Sequence, residues 1–171
     1  MNTPTAFKLS LVMAALLALP LAQAAGMSKT EYNAAKTRIG ADYKAAQRMI
    51  QSAIEKWGAL HIVVNNAGIL RDRMLFNMSE EDFDLVVRVH LKGHFCMSRH
   101  AASYWRDRSK AADAPVYGRI VNTTSEAALL GSPGQPNYAA AKAGIISLTI
   151  ATASSLGRYG VTANAIAPRA R

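Results

Sequence analysis

The sequence predicts an α/β fold with a parallel sheet. Three short runs rich in β-branched residues, at positions 60–64, 118–124 and 161–166, alternate with longer segments of helical periodicity. Strands that alternate with helices along a chain form parallel sheets joined by right-handed crossovers. Half of the residues are apolar, so the chain can build a folded core around such a sheet. The run at 60–64 is apolar except for His61, which predicts a strand buried on both faces.

Helices are expected before and between these strands. A helix that ends at Gly58 is predicted by apolar residues at helical spacing, namely Tyr43, Ala46, Ile50, Ala53, Ile54 and Trp57. Ser79 is suited to cap the next helix, because acidic residues fill the turn after it and an apolar stripe leads on to Trp105. A further helix is expected over residues 137–156.

The first 24 residues read as a secretory signal. Lys8 precedes an apolar run, and Ala22-Gln23-Ala24 is a small-x-small cleavage site. The run is shorter than the roughly 20 residues of a bilayer-spanning helix, so no stable membrane anchor is expected. The chain thus divides into a signal-like segment (1–24), a polar and helical segment (25–46) and the α/β part (47–171). The signal predicts export to the periplasm or the medium.

Charge and cysteine content exclude several classes of protein. The net charge is +9, but no block of like charges appears, so an arm for nucleic acid is not expected. A basic surface or attraction for anionic ligands such as phosphorylated cofactors explains the excess. Cys96 is the single cysteine, so no internal disulfide can form. His90 and His94 are four residues apart, but Leu91 stands where a zinc-protease helix has Glu, so no metal site is expected.

Three residues have the chemistry of proton transfer to a substrate oxygen. Tyr138 and Lys142 lie four residues apart in a predicted helix, so they share one face. An ammonium beside a phenol stabilises the phenolate, and such a tyrosine can exchange a proton near neutral pH. Ser125 follows the second strand at the edge where parallel sheets bind ligands, and its hydroxyl can hold a developing oxyanion. The alternatives are a solvated helix pair and a capping serine.

A fourth motif, Asn65-Asn66-Ala67-Gly68, directly follows the first strand. Small residues let a ligand approach the backbone, and Gly68 permits a tight turn. An ordinary turn is the alternative, since Asn and Gly are common turn residues.

Together these motifs resemble the short-chain dehydrogenase/reductase family. One strand ends in Asn-Asn-Ala-Gly, the next ends in serine, and Tyr-x-x-x-Lys follows that serine by thirteen residues. The residues at 118–122, 137–144 and 164–168 extend the resemblance, which covers roughly the last three quarters of the chain. Within the family, the sequence resembles the branch of 3-oxoacyl-ACP reductases and 3-hydroxyacyl-CoA dehydrogenases.

The resemblance implies a Rossmann-type doubly wound sheet and hydride transfer between NAD or NADP and a carbonyl or hydroxyl substrate. In the family pattern Tyr138 is the acid/base, Ser125 positions the substrate oxygen, and Lys142 supports the phenolate and holds the nicotinamide ribose. Tyr138 and Lys142 then also contact the cofactor, together with Asn66, Ala67, Gly68 and Pro168. A homodimer or tetramer built on the two long helices, and a cytoplasmic location, are implied as well.

One position departs from the family's commonest pattern. His90 stands in the long helix where the family usually has the Asn that orders a proton-relay water. A histidine here resembles the branch that acts on 3-hydroxyacyl-coenzyme A thioesters, so a catalytic role and an acyl thioester substrate are expected. A plain packing role for His90 is the alternative.

The predicted sheet lacks the family's first βαβ units and its C-terminal end. No Thr-Gly-x-x-x-Gly-x-Gly turn precedes residue 60, and three residues follow Pro168. That turn seats the cofactor pyrophosphate on a helix N-terminus. A fused or truncated reading frame is the simplest account, and the NAD or NADP choice is not readable. Two hypotheses therefore stay open, an NAD(P)-dependent oxidoreductase and a catalytically inactive fragment without cofactor binding.

Overall fold

The computed structural model describes residues 29–168, apart from the side chains at positions 29 and 31–39. The signal-like segment 1–24 lies outside the described residues. The chain divides into two units, residues 1–44 and 45–171, and helix α1 spans Lys29–Trp57. Gly58 follows it with φ +77°, a left-handed conformation that glycine adopts readily, so the predicted helix end is confirmed.

The second unit contains a three-stranded parallel sheet. Its strands are β1 (Ile62–Asn65), β2 (Gly118–Thr123) and β3 (Val161–Ile166), in the spatial order β1-β2-β3. Asn65 of β1 stands opposite Asn122 of β2 in the register. The α/β class and the parallel sheet predicted from the sequence are confirmed.

A long helical segment connects β1 to β2. It consists of α2 (Glu80–Val87), a π-helical turn (Arg88–Lys92) and α3 (Gly93–Ala112), without a break between them. Ser79 caps it as predicted, since its Oγ accepts a hydrogen bond of 3.1 Å from the Asp82 N–H. The π turn was not predicted, and such turns occur often at functional sites.

One short and one long helix lie between β2 and β3. Helix α4 (Ala127–Leu130) follows β2, and α5 (Pro136–Leu156) leads towards β3. Single 3₁₀ turns lie at Leu75–Asn77 and Gly157–Tyr159. The predicted helix at 137–156 is confirmed to within one residue.

The core lies between the sheet and these helices. Its buried apolar residues are Ile50, Val63, Ala101, Trp105, Ile120, Leu156, Val161 and Ala163. Trp105 is 1 % exposed, and its Nε1 donates a 2.7 Å hydrogen bond to the Leu60 carbonyl. A Cβ at Gly118 would lie 2.7 Å from the Trp105 ring, so the start of β2 must be glycine to admit the indole.

Two predictions of burial are wrong. Val63 and Asn65 of β1 are buried, but Ile62 and Val64 are 53 % and 62 % exposed, so the strand is buried on one face. Alternate strand residues face opposite sides, and α3 and α5 pack on the side that carries Val63. Trp57 was expected on the apolar face of α1 but is 70 % exposed, because it lies in the last turn, where the chain leaves the helix at Gly58.

Candidate active site

The predicted motifs converge at the carboxyl edge of the sheet. Asn65 is the last residue of β1, and the turn 66–68 follows it. Thr123 is the last residue of β2, and Ser125 comes two positions later. Since the two strands are parallel and in register, both motifs project from the same edge, where parallel α/β sheets bind ligands.

A cleft of about 540 Å³ opens at this edge. Ser125 and Tyr138 line it, and so does Pro168, so three residues predicted from separate segments of the sequence share one cavity. Thr123, Glu126 and Gln135 add polar groups to its wall. An open cleft with two hydroxyl groups suits a small substrate that carries a reactive oxygen.

Lys142 lies beneath Tyr138 at the base of this site. Its side chain is 3 % exposed, and its Nζ is 5.4 Å from the centre of the Tyr138 ring. The Nζ donates a 2.7 Å hydrogen bond to the Thr123 carbonyl, and Thr124 Oγ1 donates to the Lys142 carbonyl at 2.8 Å. Burial lowers the pKa of Lys142. The end of β2 therefore holds the ammonium group close to the phenol that the sequence pairs with it.

Ser125 makes a local capping contact and keeps a hydrogen-bond donor for the cleft. Its Oγ accepts a 3.3 Å hydrogen bond from the Ala127 N–H, as a capping serine does. This bond uses a lone pair of the hydroxyl, so the hydroxyl hydrogen can still be donated to an oxygen in the cleft.

Asn137 positions Tyr138 and was missed at the sequence level. It is 0 % exposed, and its Nδ2 donates to the carbonyls of Arg71 and Asp82 at 2.9 and 3.2 Å. Its Oδ1 accepts a 2.8 Å hydrogen bond from the Tyr138 N–H. These bonds tie the first turn of α5 to the loop after β1 through Arg71 and to α2 through Asp82, so the orientation of Tyr138 depends on all three segments.

His90 contacts the tyrosine from the π turn. The imidazole is 2 % exposed and meets the Tyr138 ring edge-on, with 5.2 Å between ring centres. Its Nε2 lies 2.8 Å from the carbonyl oxygen and 3.1 Å from the nitrogen of Ile69. Burial lowers the pKa of His90, the Ile69 main chain opposes this, and the charge of Lys142 lowers the pKa further. A neutral imidazole thus joins Tyr138 to the turn after β1 without lining the cleft.

Gly68 is required for a different reason than the one expected. Its backbone is not among those with positive φ, so a left-handed turn conformation does not explain the glycine. A Cβ at this position would lie 2.4 Å from Cε1 of His90. Asn66 and Ala67 are exposed beside it, and none of the three lines the cleft.

A buried polar network crosses the sheet next to the site, and it was also missed. Asn65 Nδ2 donates to Ser98 Oγ at 3.1 Å and to Asn122 Oδ1 at 2.8 Å. Asn122 Nδ2 donates to Thr149 Oγ1 at 2.8 Å. The helical spacing of positions 90, 94 and 98 is a signal that could have revealed the helix face that this network uses.

Comparison with known proteins identifies the chain's family. Residues 11–170 match the family described as short chain dehydrogenase. The chain belongs to the short-chain dehydrogenase family. Proteins of this family are oxidoreductases that generally use NAD or NADP. The family and the fold predicted from the sequence are therefore confirmed.

Individual relatives narrow the resemblance. The chain is 61 % identical over 127 residues to the hydroxyacyl-CoA dehydrogenase ChsB1 of Mycobacterium tuberculosis, covering 74 % of this chain and 40 % of that protein. It is 40 % identical over 129 residues to the 3-oxoacyl-[acyl-carrier-protein] reductase FabG of Staphylococcus aureus, covering 75 % and 49 %. The chain thus spans less than half the length of these curated relatives.

A solved structure agrees with this assignment. A short chain dehydrogenase from Mycobacterium avium superimposes with a TM-score of 0.73 at 60 % identity. The match covers 75 % of this chain and 45 % of that protein.

Polar groups at and beneath the cleft fit a nicotinamide nucleotide. The Lys142 ammonium donates one N–H to the Thr123 carbonyl and has two further N–H groups, but it is buried and does not itself line the cleft. Thr123 Oγ1 is buried without a hydrogen-bond partner in the part of the chain that the structure describes. Within residues 29–168, no group of three or more His, Cys, Asp or Glu side chains could hold a metal ion.

Proposed function

We propose that this chain carries the catalytic half of an NAD(P)-dependent oxidoreductase acting on 3-oxoacyl or 3-hydroxyacyl thioesters. The observation that carries the proposal is that Ser125 and Tyr138 share one cleft while the buried Lys142 lies beneath the tyrosine. Similarity to a hydroxyacyl-CoA dehydrogenase and to a 3-oxoacyl reductase supports the thioester class.

The chain's own residues act on the substrate oxygen. In the direction of reduction, Ser125 donates a hydrogen bond to the carbonyl oxygen and stabilises the negative charge that develops on it. Tyr138 then transfers its phenolic proton to that oxygen, and the Lys142 ammonium stabilises the phenolate that remains. Bound NAD(P)H supplies the hydride to the carbonyl carbon. Oxidation of the hydroxyl reverses each of these transfers.

The rim of the cleft supports an acyl substrate. Leu70 and Leu130 line the cleft and are 52 % and 78 % exposed. An acyl chain that lies across them would remove apolar surface from water. The net charge of +9 favours an anionic carrier such as coenzyme A.

The test measures cofactor binding and turnover by the same purified chain. Fluorescence titration with NADH and NADPH is expected to give saturable binding, and acetoacetyl-CoA is expected to be reduced. Tyr138→Phe should lower the turnover rate by about 10²- to 10⁴-fold, because it removes the transferred proton. Tyr117→Phe is the matched control, since Tyr117 is 58 % exposed and lies outside the cleft.

The inactive-fragment hypothesis makes the opposite forecast. A chain that binds neither NADH nor NADPH would defeat the proposal and leave a fragment without cofactor. Turnover that survives in Tyr138→Phe would show that the activity does not arise at this site.

We also propose that the chain forms a homodimer or tetramer through α3 and α5. Phe95 and Ile150 are 44 % and 63 % exposed on these helices, and a second copy would cover them. The segment Pro136–Tyr159 is long and apolar enough to cross a membrane by length and composition. Lys142 and Thr149 on it bond to β2, which favours packing on the sheet. Light scattering should show a dimer or tetramer, and a stable monomer would contradict the proposal.

Residues 1–24 support a proposal of export. Their charged start, apolar run and small-x-small site are typical of a signal. A reporter enzyme that is active only outside the cytoplasm should become active when fused behind residues 1–24. A reporter that stays inactive would favour the cytoplasmic location that the catalytic part implies.

A further inference from the structure

The long helical segment between β1 and β2 has one face that carries buried polar side chains. His90, His94 and Ser98 are spaced four residues apart, so they share a helix face. They are 2 %, 2 % and 4 % exposed. Buried polar groups carry a cost unless they are hydrogen-bonded, so the contacts of these three side chains indicate what the face does.

The contacts of this face lie at the two ends of the turn after β1. His90 Nε2 contacts the main chain of Ile69, at 2.8 Å from its oxygen, where the turn ends. Ser98 Oγ accepts a 3.1 Å hydrogen bond from the side chain of Asn65, where the turn begins. The segment 65–69 is therefore held at both ends by one helix face.

His94 lies between these two contacts. Its Nδ1 is 2.7 Å from the carbonyl oxygen of His90, within the π turn. Burial lowers the pKa of His94, while the main chains of His90 and Asn65 oppose this and the charges of Lys142 and His90 add to it. A neutral ring that donates from Nδ1 satisfies the His90 carbonyl. Its Nε2 is buried without a hydrogen-bond partner among the described residues.

We propose that His94 is a positioning residue for the segment 65–69, the turn that the family pattern assigns to the cofactor although it does not line the cleft. By bonding to the His90 carbonyl, it holds the π turn in the conformation that presses the His90 ring against Gly68 and Ile69. The segment 65–69 is thereby held in the shape that receives the nicotinamide nucleotide. The effect on the cofactor rests on the function proposed above, whereas the effect on the turn does not.

We call the contact of the His90 ring with Gly68 and Ile69, held in place by His94, the clamp. The geometry of Gly68 shows how closely the ring and the backbone approach each other in it. No Cβ fits between the Gly68 backbone and the His90 ring, since the nearest ring atom would be 2.4 Å away. A small rotation of the π turn would therefore either push on the turn or open a gap beside it. The His90 carbonyl accepts from the Gly93 N–H as well as from His94, so loss of the His94 bond removes one of two hydrogen bonds that fix it in the π turn, which favours such a rotation.

Three substitutions of His94 distinguish the effect of its hydrogen bond to the His90 carbonyl from the effect of the volume of its ring. His94→Leu fills the space but has no donor. His94→Asn places an amide nitrogen at the position of Nδ1, and is expected to rescue the bond. His94→Gln is polar but carries its amide one methylene too far, so it replaces His94→Leu if that variant does not fold. His100→Leu, on the same helix, is the matched control.

The first readout does not depend on a cofactor. Hydrogen exchange of the free protein, followed by NMR, reports on the Ile69 amide and its neighbours in 65–69. His94→Leu should speed exchange at Ile69 by about tenfold, because a lost buried hydrogen bond lowers the local opening free energy. His94→Asn and His100→Leu should stay close to the wild type. Unchanged exchange in His94→Leu, or no rescue by folded His94→Asn, would overturn the proposal.

The second readout is the dissociation constant for NADH. His94→Leu should raise this constant by about tenfold, because part of the binding free energy is then used to order the loosened turn. His94→Asn should return the constant to the wild-type value. A wild-type chain that binds neither NADH nor NADPH refutes the proposed function, and the exchange rate at Ile69 then still tests whether His94 holds the segment 65–69. If only NADPH binds, its dissociation constant is measured instead. Faster exchange with an unchanged dissociation constant would keep the clamp and refute its effect on the cofactor.

Discussion

The two faces of the three-stranded sheet carry similar residues but bury them very differently. On the face that α3 and α5 cover, Ile120 is 0 % exposed and Asn122 belongs to a buried hydrogen-bond network. On the opposite face, Val64 is 62 % exposed and Asn164 is also exposed. Residue type therefore does not decide burial here. The helices that pack against a strand decide it.

The strongest way to break the covered face is to remove its largest side chain. Trp105→Ala should lower the free energy of unfolding by about 3–5 kcal/mol, because it leaves a cavity beside Gly118 and frees the Leu60 carbonyl. Urea denaturation measures this loss. Trp57→Ala is the control, since Trp57 is 70 % exposed and its loss should change stability by less than about 0.5 kcal/mol. Equal losses would contradict the comparison.

The two faces can be compared directly with one substitution made twice. Asn122→Leu removes an acceptor from Asn65 and a donor from Thr149, and should cost about 2–3 kcal/mol. Asn164→Leu makes the same change on the open face and should stay within about 0.5 kcal/mol. Urea denaturation of both variants measures the difference. A costly Asn164→Leu would mean that the open face is covered in solution.

The contact of the turn with His90 gives a smaller effect. Gly68→Ala should cost about 1–2 kcal/mol, because its Cβ collides with the imidazole. In the double variant with His90→Ala, most of that cost should disappear, which a double-mutant cycle measures. Gly157→Ala has open space around its Cβ and serves as the control. Additive costs would show that Gly68 is needed for another reason.

Acid should weaken this part of the fold gradually. Burial lowers the pKa of His90 and of His94 below 6.5, and Lys142 beside them acts in the same direction. The unfolded chain then binds more protons than the folded one below pH 6.5. The contribution of these two histidines to the free energy of unfolding is therefore fully present above that pH. It is lost as the pH falls towards their pKa values in the folded protein. Urea midpoints at pH 7.5 and 5.5 measure this slope.

A variant assigns the slope to its source. His94→Asn should make the midpoint less sensitive to acid, because one of the two buried imidazoles is gone. His61→Asn, which makes the same substitution at an exposed histidine, is the control for the change of residue type. An unchanged slope in His94→Asn would mean that other groups cause the acid sensitivity.

Local patterns were sufficient to predict the three strands and the long helices of the α/β unit, but not its π turn or the short helix α4. Ser79 caps its helix through the Asp82 N–H, and Gly58 ends α1, because caps and glycine conformations depend on adjacent residues. Tyr138 and Lys142 followed from their spacing in a helix, Ser125 from its place after a strand and His90 from the family resemblance. The structure places Ser125 and Tyr138 in one cleft. Their chemical roles stay predictions until the variants are measured.

Long-range contacts were out of reach at the sequence level. The bond between Asn65 and Asn122 joins residues 57 positions apart, and Asn137 reaches Arg71 over 66 positions. No local periodicity encodes such pairs. For the same reason the sequence assigned Gly68 to a tight turn, whereas the side chain of His90, 22 positions away, is what excludes a Cβ there.

By itself, the sequence determined the order of strands and helices, the residues available for proton transfer and the family. These properties depend on periodicity, capping and motif spacing, which neighbouring residues carry. Only the tertiary structure decided which face of β1 is buried, where the π turn falls, and that His90 and His94 meet the turn after β1. Those properties depend on which side chains, distant in sequence, pack into the same space, and local patterns along the chain do not reveal that.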